Sequence, residues 1–61
     1  MVYTSNIYVT DENGKHVKMP LGKWYDNLDD CYEESNIVAK TKYEGVWFAI
    51  NLVVKEREEL I

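Results

Sequence analysis

The chain has 61 residues, room for one domain and a modest core, because a chain this short buries only about 60% of the surface its unfolded form exposes. Eleven acids against seven bases leave a net charge of −4, which favours solubility and basic partners and weighs against non-specific nucleic-acid binding. Cys31 is the single cysteine, so no intrachain disulfide forms; that points to a reducing compartment and keeps self-association, including a homodimer, among the ways of stabilising so small a fold.

The apolar content of 46%, with eight aromatic residues, is ample for a folded core. The opening residues 1–6 show no charged-then-apolar signal pattern. The longest apolar stretch, residues 46–54, is half the length of ~20 residues that spans a bilayer. A cytoplasmic location and no membrane partner are expected.

In chain order, the first element is a hairpin. Tyr3, Ile7 and Val9 alternate with polar residues, residues 11–15 (Asp-Glu-Asn-Gly-Lys) form a turn, and Val17, Met19 and Leu21 alternate again. A two-residue loop at Asn13 and Gly14 would set the two apolar rows on opposite faces. A three-residue loop of Glu12, Asn13 and Gly14 pairs Val9 with Val17 and Ile7 with Met19 on one face, with Gly14 in the left-handed region. The second register is preferred. Pro20 then belongs at a strand end or an edge.

Asn27 is a helix N-cap, with Asp29 and Asp30 in the first turn, where the helix dipole favours carboxylates. Leu28, Cys31, Tyr32 and Ser35 form an amphipathic stripe of modest quality. Residues 37–43 read two ways. Continued helix adds Val38 and Ala39 to the stripe and puts Lys40 and Lys42 at the favourable end. As a strand closed by a Glu44-Gly45 loop, they pair Tyr43 with Val46, Thr41 with Phe48, Ala39 with Ile50 and Ile37 with Leu52, apolar throughout but for one threonine. That register agreement favours the strand, with Asn36 capping a short helix in a left-handed conformation.

The fold expected is therefore α+β: N-terminal β-hairpin, short acidic helix, C-terminal β-hairpin. The alternative is β-hairpin, longer helix and single C-terminal strand. Residues 46–54, apolar on both faces apart from Asn51, read as a central strand covered on both sides. Residues 55–61 form a charged tail of the single domain, with Leu60 and Ile61 docking back.

The residues for chemistry are sparse. His16, the only histidine, falls on the polar face beside the turn, with no second ligand at metal spacing and no nucleophile within a plausible triad. Cys31 lies on the apolar stripe and reads as a buried structural thiol. The acids of the helix lack the alternating ligands and glycine of a calcium loop, and the three glycines are isolated, so no phosphate-cradling loop exists. No enzyme activity, cofactor or metal is expected.

Two binding surfaces remain. Asp29, Asp30, Glu33 and Glu34 project from one side of the helix as a negative ridge suited to a basic protein surface. In the strand reading Lys42 lies opposite Trp47 on the outer face of the second hairpin, where Trp47 serves as an interface anchor. Lysines interleaved with Tyr8, Trp24 and Trp47 also allow a single-strand nucleic-acid platform, which the net charge disfavours.

The order of a short strand, an acidic turn at residues 11–15, a second strand, an acidic helix starting Asn27-Leu28-Asp29-Asp30 and an apolar last strand resembles that of small acidic phage proteins that disable host enzymes. These include the uracil-DNA glycosylase inhibitors and the host RNA polymerase inhibitors of short-tailed phages. The resemblance implies a compact protein from a phage or mobile element that occupies the surface of a host protein, and it carries no binding residue over by position. The alternative function is a structural protein that self-associates through residues 46–54.

Overall fold

The computed structural model describes residues 1–60, the side chain of Leu60 excepted, so the expected docking of Leu60 and Ile61 lies outside the described residues. Strands β1 (Val2–Thr10) and β2 (His16–Pro20) precede one helix, α1 (Leu28–Lys42); strand β3 (Trp47–Lys55) and a 3-10 turn (Arg57–Leu60) follow. The strands form one antiparallel sheet in the order β2-β1-β3. The fold is α+β.

The first hairpin has the register that its apolar rows demand. Val9 pairs with Val17 and Ile7 with Met19, and the loop closes through Asp11 and Lys15. Gly14 takes φ 79, and the Asp11 carboxylate accepts from the backbone of Asn13 (2.9 Å) and Lys15 (2.8 Å). A side chain that hydrogen-bonds its own backbone two residues on holds such a turn in place. Pro20 ends β2, which is an edge strand.

Residues 37–42 are helix, not strand, so the second hairpin does not form and the alternative order, β-hairpin, longer helix and single C-terminal strand, is the one adopted. The reason is long-range. β1 needs a partner on its second edge, and β3 supplies one from Val2↔Lys55 to Val9↔Trp47, a longer ladder than the local hairpin offers. Carrying the chain from β2 to β3, which flank β1 in parallel directions, requires a crossover, and the helix is that crossover. Fifteen residues of helix also cover the sheet, whereas two turns would be marginal. Residues that resist helix satisfy themselves within it: Ser35, Asn36 and Thr41 donate from their side chains to the carbonyls of Cys31, Tyr32 and Ile37. Asn36 caps nothing; the left-handed residue of this connection is Gly45, φ 80.

Residues 47–55 are correspondingly an edge, not the centre; β1 is central. Its side chains alternate, so Ser5, Ile7 and Val9 face the helix and are buried. The helix meets them with Cys31, Ser35 and Ala39, spaced four apart and small enough to bring helix and sheet close. Ile7, Val9 and Ala39 form the core, ringed by Val17, Met19, Val38, Tyr43, Trp47 and Ile50. One layer of helix on one layer of sheet leaves the other sheet face without a second helix. At one corner of that face Val2 is buried where residues 24–26 meet residues 55–57: the Lys55 ammonium lies 5.9 Å over the Trp24 ring and Arg57 pairs with Asp26.

Candidate functional site

The acidic surface is built by the helix start. Asn27, in an extended conformation, accepts at its side-chain oxygen from the backbone of Asp29 (2.8 Å) and Asp30 (3.3 Å), which fixes where the first turn begins and hence where the acids point. Asp30, Glu33 and Glu34 fall on one flank, and with Tyr25 they line a shallow, open concavity of about 290 Å³. Asp29 is exposed on the same turn but outside that lining. Three of the four acids expected to act together are thus brought around one hollow.

Tyr25 is there because of the strands. Its backbone exchanges two hydrogen bonds with Tyr3, at 2.8 and 2.7 Å, extending the sheet on the β2 side of β1. Desolvation against the helix, then the charges of Glu34, Cys31 and Asp30, push its phenol above the usual tyrosine value. The ring therefore stays a neutral donor with an apolar face beside three carboxylates. Lys23 lies with its ammonium 5.1 Å over the same ring. Beside the hollow, a cation thus packs on the same aromatic ring that forms part of its lining.

The second expected surface differs. Lys42 is in the last turn of the helix, its ammonium 5.5 Å over the Tyr43 ring, and it does not oppose Trp47. Trp47 faces the helix and packs against the core rather than standing on the outer face. A β-bulge between Tyr8 and Val9 in the β1–β3 register causes this: Tyr8 pairs with Ala49 but Val9 with Trp47, so Phe48 is extra and turns outward. Phe48 is 49% exposed, its ring 6.3 Å from Tyr8 and 4.6 Å from His16. His16 is exposed at the hairpin, as its parity required.

Sequence reasoning missed Tyr25 and Phe48. Tyr25 carries no local signal, since only its bridge to Tyr3, 22 positions away, brings it to the acids. Phe48 depends on a bulge that the apolar run around it conceals.

Cys31 is fully buried, and burial pushes its thiol upward, with a hydrogen bond to Ser35 acting in the opposite direction. Such a thiol is a poor nucleophile. Among the described residues, no group of three or more His, Cys, Asp or Glu is arranged to hold a metal ion, and no helix is long and apolar enough to cross a membrane.

Comparison with protein-family models, curated proteins and solved structures found no match for the chain.

Proposed function

We propose that this chain is a non-enzymatic protein-binding module that acts by occupying a basic surface of another protein. The observation that carries the reading is the grouping of Asp30, Glu33 and Glu34 around Tyr25 at the start of a capped helix. Carboxylates carried on a capped helix present their charge without reordering a loop on binding, and a charged surface of one sign raises the rate of encounter with the opposite sign. Asp29 extends the ridge beyond the hollow.

The resemblance in layout to phage inhibitors of host enzymes adds the biological class: an inhibitor or modulator of a host protein, working in the host cytoplasm. Binding of single-stranded nucleic acid is the weaker reading, because the aromatic rings that share a surface with lysines do so on a chain whose net charge is negative.

The test is capture from a lysate of the source cell, comparing the wild-type chain with one in which Asp29→Asn, Asp30→Asn, Glu33→Gln and Glu34→Gln are combined. The reading expects a partner held by the wild type and released as salt is raised, and its loss from the neutralised variant once circular dichroism shows that variant to be folded. Equal capture by both would sink the acidic-flank assignment.

A further inference from the structure

The two edges of the sheet are not alike. In an antiparallel strand the N–H and C=O of one residue point to the same side, and successive residues alternate. Tyr3 bonds Tyr25 and Ser5 accepts from Leu21, both on the β2 side, whereas Thr10 donates to Val46 on the β3 side. Odd residues of β1 therefore bond toward β2 and even residues toward β3. Residues 49, 51, 53 and 55 of β3, opposite the even residues, bond inward. The main-chain groups of Ile50, Leu52 and Val54 point outward.

On the other edge, the outward residues of β2 are His16, Lys18 and Pro20. Proline has no N–H, lysine brings a charge, and the strand has only five residues, all devices that blunt an edge. β3 has nine residues, no proline and no charge before Lys55. Val54 is 49% exposed. Arg57, which opens the following turn, pairs with Asp26 next to Tyr25, and Tyr25 bridges β1 on the side away from this edge.

We propose that the β3 edge pairs with β3 of a second copy of this chain, antiparallel about a two-fold axis at Asn51. The strand reads alike in both directions about that residue. Ile50 then opposes Leu52 of the second copy, Ala49 opposes Val53, and Asn51 opposes itself. The outward main-chain groups of Ile50 and Leu52 fall in register, so these residues exchange both hydrogen bonds, and every side-chain pair is apolar except the two asparagines. Those asparagines lie on the outer face, where each already neighbours Asn6 of its own chain. Such a contact is isologous and closes at two copies, and the bulge at Phe48 ends the ladder.

The helix supplies a second layer to the same contact. Its acidic flank meets Tyr25 on the β2 side. By helix geometry the opposite flank, with Leu28 (43% exposed) and Tyr32 (54% exposed), is on the β3 side. A side-by-side pair of sheets puts the two helices on one face, with these apolar flanks turned toward each other and the two acidic hollows at the far ends. The dimer stands independently of the acidic-flank reading, and it explains exposed apolar residues that reading leaves aside.

The experiment is sedimentation velocity of the full chain over a rising concentration series, with Asn51→Asp, Asn51→Lys and an equimolar mixture of the two. The Asn51 side chain is exposed, so either variant is expected to fold, and circular dichroism checks it. Wild type should pass from monomer to dimer with concentration. Each single variant, opposing like charges on the axis, should weaken the dimer by about tenfold or more. The mixture, opposing unlike charges, should recover it. A wild type that stays monomeric throughout would overturn the proposal and leave the edge to a strand of a different protein. A dimer indifferent to both variants would also overturn it.

Discussion

Among the described residues Ser5 and Ser35 are the two buried polar side chains, and they bond to each other at 2.6 Å beneath the helix. Because the Ser35 hydroxyl donates to the Cys31 carbonyl at 2.7 Å, Ser5 must be the donor in that pair. Removing one partner strands the other, and a buried group without a partner costs about 1–3 kcal/mol. Ser35→Ala should thus lower stability in urea by that order, and adding Ser5→Ala should cost less than the sum of the two single changes. A strictly additive cycle would contradict the hydrogen bond. Cys31, one turn away, makes stability depend on alkali. Its folded pKa is raised, so its contribution is complete below the ordinary thiol pKa of about 8.5 and is lost as pH rises through the higher folded value. Tyr25 is shifted in the same direction and adds a later decline near the ordinary phenol value of about 10. Thermal melts should fall from neutral to alkaline pH, and Cys31→Ala should flatten the earlier part of that fall. An unchanged slope in the variant would assign the effect elsewhere.

At the scale of elements, Ala39 measures how closely the helix lies on β1. It is fully buried against Ile7 and Val9, where added methylenes have nowhere to go without moving the helix. Ala39→Leu should cost about 1–3 kcal/mol by denaturant unfolding, and no loss would mean that helix and sheet are less closely packed than described. The same residue shows where the sequence was legible and where it was not. Short-range features were readable: the hairpin register follows from Val9, Val17, Ile7 and Met19, the turn from Gly14, and the helix start from Asn27. The helix end was not. Ala39 fits a helical stripe with Cys31 and Ser35 as well as it fits a cross-strand pair with Ile50, and both readings are locally satisfied. What separates them is the unpaired edge of β1, a requirement set far away in sequence and visible only once β3 lies against it. Lys42 and Trp47 were misplaced by the same ambiguity; of the four acids, whose positions follow from the cap, Asp30, Glu33 and Glu34 share one hollow and Asp29 lies outside it.

At the scale of the molecule, the sheet separates two kinds of surface. Acids gather on the helix flank above the β2 side, and apolar residues gather along the β3 edge and on the helix flank above it. A chain with so little core keeps three of its carboxylates together around a hollow, although spreading them would relieve their mutual repulsion. That concentration is the central reason for assigning this flank to contact with a basic partner. The most direct measurement is zero-length carbodiimide cross-linking of the captured complex, followed by mass spectrometry. Cleavage after Lys23 and Lys40 isolates residues 24–40, which hold all four acids of the ridge in one peptide. The account predicts that lysines of the partner are joined to this peptide at Asp30, Glu33 or Glu34. Cross-links confined to Asp11 and Glu12 of the hairpin turn or to Glu56, Glu58 and Glu59 of the C-terminal segment would contradict it.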